Sequence, residues 1–91
     1  MKSRVNDRFL SLLRQLPKHV QRQARKSYKL FIQDSSHKSL QFKLVNPRER
    51  IYSARIGIKY RAMGYIENGD IVWFWIGPHA EYDHLLDMFG D

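Results

Sequence analysis

A histidine, His79, follows Gly77-Pro78 at the end of the apolar run Val72-Trp-Phe-Trp-Ile76, and Tyr82 comes three residues later. Imidazole is the side chain best suited to moving protons near neutral pH. Pro78 suits the first position of a helix, which places His79 in the first turn, where free backbone N–H groups and the helix dipole attract anions. Two arginines, Arg55 and Arg61, flank Gly57-Ile58-Lys59. If those three residues form the loop of a β-hairpin, Ile56 pairs with Tyr60 and Arg55 lies directly opposite Arg61. Like charges in that position repel unless an anion sits between them, and two forked guanidiniums make a phosphate cradle. A two-residue loop would separate them, and two surface arginines with local carboxylate partners are the plainer alternative. His79 likewise reads either as a proton-transfer group or as a first-turn surface residue.

The elements that must hold these groups follow from periodicity. Val5, Phe9, Leu12, Leu13 and Leu16 recur at helical spacing, so residues 5–16 read as an amphipathic helix. Pro17 opens a second helix with Val20, Ala24, Tyr28 and Phe31 on its apolar face and Arg22, Arg25, Lys26 and Lys29 on the other. Asp34-Ser-Ser-His37 ends it, and the two helices form a helical hairpin. The pattern then turns to period two: Leu40, Phe42 and Leu44 alternate with Gln41, Lys43 and Val45, and Ile51–Ile56 puts Ser53 and Arg55 on one face and Tyr52, Ala54 and Ile56 on the other.

Asn68-Gly69 marks a two-residue hairpin turn between Tyr60–Glu67 and Asp70–Gly77. Continued without interruption, that turn sets Glu67 against Asp70, Tyr65 against Val72, Met63 against Phe74 and Arg61 against Ile76. One face then carries Arg61, Met63, Tyr65, Val72, Phe74 and Ile76; the other carries Tyr60, Ala62, Gly64, Ile66, Ile71, Trp73 and Trp75. Both are apolar, so both need a cover. The hairpin supplies one, and a terminal helix with Tyr82, Leu85, Leu86 and Phe89 supplies the other. The expected fold is a single α+β domain over residues 1–91, with an N-terminal helical hairpin packed on a four-stranded antiparallel sheet and a short C-terminal helix.

The net charge of +7 is unevenly spread. Residues 1–34 hold nine Lys/Arg against two acids, residues 35–61 seven against one, and residues 62–91 six acids and no Lys/Arg. A basic first two-thirds points to a polyanionic partner, most simply nucleic acid. With no cysteine, the chain builds neither a disulfide framework nor a thiolate metal site. His19, His37, His79 and His84 have no zinc-ligand spacing. No stretch has the length of a membrane span, so a cytoplasmic protein with no membrane partner, no metal and no cofactor is expected.

In that order, the segments "FLSLLRQLPKHVQRQARKSYKLF", "SSHKSLQFKLV", "IYSARIGIKYRAMGYI" and "VWFWIGPHAEYDHLL" resemble the RelE/ParE superfamily of toxins of bacterial type II toxin–antitoxin systems. The likeness covers nearly the whole chain. It implies a toxin neutralised by a cognate antitoxin that wraps it. It further implies, for RelE-like members, a ribosome-dependent endoribonuclease that cuts mRNA without metal and so inhibits translation, the RNA 2′-hydroxyl attacking the adjacent phosphate; plasmid stabilisation is a role of the same class. Carried over by position, Arg61 is the phosphate-stabilising arginine, Arg55 a basic residue of the preceding strand, His79 the acid/base after the last strand and Tyr82 the terminal aromatic, at shorter spacing than usual. The lysine-rich strand of the best-known members is reduced to Ser53 and Arg55, which leaves His79, with Lys43, to supply a base. Arg22, Arg25, Lys26, Lys29 and Lys43 are the expected RNA and ribosome contacts. The helical hairpin opens so near the N-terminus that little room remains for the family's leading strand. The alternatives are a ParE-like poison of DNA gyrase without nuclease activity and a non-toxic RNA-binding module of the same fold.

Overall fold

The computed structural model describes residues 2–89; the Phe89 side chain, expected on the apolar face of the last helix, lies outside that description. Its elements are β1 (Ser3–Val5), α1 (Asp7–Arg14), α2 (Lys18–Gln33), a 3-10 turn (Lys38–Leu40), β2 (Lys43–Asn46), β3 (Ile51–Ile56), β4 (Tyr60–Glu67), β5 (Asp70–Pro78) and α3 (His79–Phe89). The sheet has five strands in the order β1-β5-β4-β3-β2. It is mixed, not purely antiparallel, because β1 runs parallel to β5 with Arg4 opposite Val72. The leading strand is therefore present. Its three residues carry no alternation to announce it, and outside contacts hold it: the Trp73 indole donates to Ser3 Oγ at 3.0 Å and the Tyr28 hydroxyl to Ser3 O at 3.1 Å.

This strand also shortens α1, which starts at Asp7 and not at Val5. Asn6 caps it, its Oδ1 accepting from Phe9 N at 2.9 Å. Buried Gln21 closes the other end, donating from Nε2 to Leu16 O at 2.9 Å and to Arg14 O at 3.4 Å. Beyond α2, the Ser36 hydroxyl and then the Ser36 backbone N–H hold the Asp34 carboxyl below the ordinary carboxylate range. The strand expected from Leu40 begins only at Lys43. Leu40 instead ends the 3-10 turn as a core residue, and Gln41 follows in the left-handed region at φ 45°.

The Asn68-Gly69 turn forms as expected, with φ of 53° and 83°, and Glu67 faces Asp70. The facing acids share one cation, Arg4, at 2.6 Å from Glu67 Oε1 and 3.5 Å from Asp70 Oδ2. Tyr65 pairs with Val72 and Gly64 with Trp73; then the register slips and Met63 pairs with Trp75. Phe74 is the extra residue of a β-bulge. Beyond it every expected pairing moves by one, so Arg61 faces Gly77 and not Ile76, and Met63 faces Trp75 and not Phe74. The side chains move with the register. Ile76 joins Trp73, Phe31, Ala54 and Ala62 beneath the helical hairpin, while Trp75 joins Met63, Ile51 and Tyr82 beneath α3. Both faces are covered as expected, with Trp75 and Ile76 exchanged.

Gly64 sits at the last regular pair before the bulge. A Cβ there would come within 2.9 Å of Ile71 Cγ1 and 3.0 Å of Trp73 Cε3, both buried. Gly64→Ala is expected to lower stability by about 1–3 kcal/mol, read as an earlier urea midpoint at unchanged m-value; an unchanged midpoint would show that the Trp73 layer has slack.

Candidate functional site

The three-residue reading of the β3–β4 loop holds: Ile56 pairs with Tyr60 and Arg55 lies directly opposite Arg61. Both arginines project from the α3 side of the sheet, beside the N-terminus of α3. Arg55 is half-buried and donates from Nε to Gly57 O at 2.8 Å. Arg61 is 9% exposed. Its Nη2 donates to Gln41 Oε1 at 2.9 Å, its Nε faces His79 Nδ1 at 3.5 Å, and its Cζ lies 5.5 Å from the Tyr82 ring centroid. Among the described residues no carboxylate lies within ion-pair distance of either arginine. Arg61 Nη1 is buried without a hydrogen-bond partner.

A buried guanidinium with an unbonded N–H group is costly. A desolvated guanidinium needs its donors satisfied, and an ammonium- or carboxylate-sized ion loses several kcal/mol on burial, roughly, unless paired. The Tyr82 ring returns part of this, about 0.5–2 kcal/mol for a partly desolvated cation over an aromatic face. Two arginines directly opposite each other, one with a buried N–H group that makes no hydrogen bond within the protein, offer donors of the kind that phosphate oxygens accept.

Tyr82 supports this floor. It is 3% exposed, and its hydroxyl donates to the fully buried Ser53 Oγ at 3.0 Å. The terminal aromatic of the sequence comparison is thus in the site, with its ring under Arg61 and its hydroxyl turned inward. His79 is the first residue of α3. Its backbone N–H donates to Lys59 O at 2.8 Å, tying the helix start to the β3–β4 loop. The imidazole is exposed, 5.5 Å from the Tyr82 ring, and its Nε2 lies 3.4 Å from Asp83 Oδ2.

The expected residues therefore fall into two groups. Arg55, Arg61, His79 and Tyr82 converge, and Lys43, exposed and opposite Ser53 in the β2–β3 register, shares their sheet face. Arg22, Arg25, Lys26 and Lys29 are exposed on α2, which covers the other face, so they are a separate basic surface and not an edge of the cradle. Three residues of the site carried no assigned role in the sequence: Gln41, Ser53 and Asp83. Gln41 read as an alternating strand residue; only its left-handed backbone turns its amide back toward Arg61. Ser53 is fixed by pairing with Met63 and Lys43. Asp83 lies one helical turn beyond His79, a spacing visible in the sequence. Among the described residues no three His, Cys, Asp or Glu side chains are grouped to hold a metal ion, and no helix is long and apolar enough to cross a membrane.

Comparison with known proteins agrees with this architecture. The family model of the ParE-like toxin domain matches residues 18–84. The fold is similar to the RelE–RelB complex of Pyrococcus horikoshii, with TM-score 0.66 and 16% identity over 85% of this chain and 92% of that one. It is also similar to the RelB–RelE antitoxin–toxin complex of Methanococcus jannaschii, with TM-score 0.59 and 23% identity over 88% of this chain and 95% of that one. At these identities the likeness is one of fold, and no curated protein matches the sequence. The family match covers most of the chain and takes in the arginine pair, His79 and Tyr82: the protein belongs to the ParE-like toxin domain family, within the RelE/ParE superfamily of toxins.

Proposed function

We propose that this toxin is a ribosome-dependent, metal-independent endoribonuclease that cuts mRNA and stops translation, and that a cognate antitoxin neutralises it. The observation that carries the reading is the buried, carboxylate-free Arg61, with an unused N–H group, opposite Arg55 and in contact with His79. In the reaction the RNA 2′-oxygen gives its proton to His79 and forms a bond to the neighbouring phosphorus. The bond from phosphorus to the 5′-oxygen breaks, and that oxygen takes a proton back from the imidazolium or from water. A 2′,3′-cyclic phosphate and a 5′-hydroxyl result. Arg61 and Arg55 bind the two non-bridging oxygens as charge builds on them. The nucleophile belongs to the RNA, so the protein supplies orientation, charge and a proton carrier. Tyr82 keeps the Arg61 plane in place, and Lys43 extends the positive field along the sheet. The α2 stripe of Arg22, Arg25, Lys26 and Lys29 contacts ribosomal RNA.

An antitoxin has a matching surface elsewhere. Residues of α1 and α2 line an apolar groove that also takes in Ala54, Ala62 and Trp73 of the sheet, with Arg25 and Lys29 on its lining. An acidic segment with apolar side chains on one face complements it. This partner is favoured also because the similar Methanococcus jannaschii structure is an antitoxin–toxin complex and the Pyrococcus horikoshii one a RelE–RelB complex.

The family match to a ParE-like domain favours a second reading, a gyrase poison without nuclease activity. Purified toxin added to programmed ribosomes decides between them. Cleaved message with a cyclic-phosphate end supports the nuclease; intact message together with trapped gyrase–DNA cleavage complexes supports the poison. Within the nuclease reading, Arg61→Gln is expected to lower single-turnover cleavage about 10²–10³-fold and His79→Ala about 10²–10⁴-fold. Tyr82→Phe keeps the ring and is expected to change the rate only a few-fold, roughly, as a cation–π floor predicts. Cleavage by His79→Ala at the wild-type rate would remove the histidine from the chemistry. On α2, Arg22→Gln with Lys26→Gln is expected to weaken ribosome binding and to reduce the slope of log affinity against log salt by about one unit or more, without changing the rate of bound toxin.

A further inference from the structure

The two nitrogens of His79 face chemically opposite neighbours. Arg61 Nε carries a hydrogen and can only donate, so the Nδ1 it faces at 3.5 Å must accept. A neutral imidazole then carries its proton on Nε2, the nitrogen 3.4 Å from Asp83 Oδ2, which can only accept when ionised. The backbone bond to Lys59 O fixes the helix start, and the Tyr82 ring at 5.5 Å limits rotation of the imidazole. Asp83 is four residues beyond His79, the helical spacing that puts two side chains one above the other. We propose that Asp83 is the positioning residue for His79: it holds the imidazole as the Nε2–H tautomer, so that the Nδ1 lone pair faces the arginine pair and serves as the working nitrogen.

The groups that meet the ring from each packed element are few. Arg61 comes from β4 with Arg55 of β3 beside it, Lys59 O from the β3–β4 loop, and Tyr82 and Asp83 from α3. Two acids of α3 oppose the cations: Asp83, at 3.4 Å from the imidazole, and Glu81, whose carboxylate lies beside Gly77 opposite Arg61 and makes no ion pair with the ring. When phosphate occupies the cradle, its oxygens compete for Arg61 and Nδ1 is released to the 2′-hydroxyl. Once Nδ1 takes that proton, the Nε2–H of the imidazolium already points at a carboxylate and the ring need not turn. An acid near a helix N-terminus also complements the dipole wherever it points; that simpler role would leave the tautomer indifferent to Asp83.

The inference rests on the acid–base reading of His79, but its first readout needs no cleavage. Two-bond proton–nitrogen spectra of the ¹⁵N-labelled protein in alkaline buffer, where imidazole is neutral, report which nitrogen is protonated. Wild type is expected to show Nε2 protonated. Asp83→Ala is expected to shift the tautomer ratio roughly three- to ten-fold toward the other form, and Asp83→Asn, which still offers Oδ1, to retain most of the bias. The pair is largely exposed, so thermal midpoints of both variants should stay within about 2 °C of wild type. Cleavage on programmed ribosomes should fall with Asp83→Ala and be rescued by Asp83→Asn. A protonated Nδ1 in wild type, or an unchanged ratio in Asp83→Ala, overturns the assignment. Failure of wild type to cleave message overturns the nuclease reading, and the spectra still decide the tautomer.

Discussion

The site depends on one extra residue in β5. Had the pairing set by Asn68-Gly69 run on unbroken, Ile76 would stand opposite Arg61 on the α3 side, an apolar branch against a guanidinium. The bulge at Phe74 moves Gly77 into that place, and the cross-strand neighbour of Arg61 then has no side chain. The space is kept for a second reason: a Cβ on Gly77 would lie 2.6 Å from Trp75 Cζ2 and 3.1 Å from Glu81 Oε2. The same slip drops Trp75 beneath α3, where it packs with Met63 and Tyr82. Register, core and the geometry of the arginine cradle are thus one constraint. A bulge that re-aims side chains at the rim of a sheet is a recurrent way to build such a place.

Among the described residues no acid around that space comes within ion-pair distance of Arg55 or Arg61, although the Glu81 carboxylate lies beside Gly77. The last thirty residues carry six acids and no Lys or Arg, yet none of those described forms an ion pair with the cradle arginines. Glu67 and Asp70 are engaged by Arg4 at the far end of the hairpin, and Asp83 faces the imidazole. The acceptor offered to Arg61 is the neutral carboxamide of Gln41. It satisfies one N–H group without cancelling the charge, whereas a carboxylate there would form an ion pair in place of the phosphate. Holding that amide requires a non-glycine residue in the left-handed region, a local strain of about 1–3 kcal/mol by the usual measure. Such strain persists where its surroundings dictate it, and here the surroundings are the 3-10 turn and the Arg61 fork.

How much of this was legible follows from the range of the signals. The turn at Asn68-Gly69, the helical hairpin and Ile51–Ile56 follow from local spacing and are present; the opposition of Arg55 to Arg61 was one of two loop readings, and the structure has it. The bulge left no local mark, because Trp73-Phe74-Trp75 alternates equally well in either register; the packing that goes with it, Trp73 against the bare backbone of Gly64 and Trp75 against Met63 and Tyr82, involves residues remote in sequence. β1 was missed for a related reason: its pairing is provided by Trp73 and Tyr28, residues remote in sequence. In the site, His79 and the arginines announced themselves by type, while Gln41 did not, since an alternating run conceals a left-handed residue. Tyr82 fell between the two: the spacing put it near the cradle, but only packing turned its hydroxyl to Ser53 and away from solvent.

The separation of the two basic surfaces limits how any polyanion can engage the protein. The cradle lies on the α3 side of the sheet and the α2 stripe on the opposite layer, so a helix and a sheet intervene. A single RNA strand lying in the cradle cannot also cover Arg22 and Lys26. A partner that meets both must curve around the molecule, as the walls of a large RNA cavity do and a naked messenger does not. The two sets of charge differ: those on α2 are exposed and screened by salt, whereas in the cradle Arg61 is buried and Arg55 half-buried. Free message offers contacts only to the second set. In the proposed reaction, a partner that also grips the outer layer would hold a phosphate against Arg61 longer than free message does.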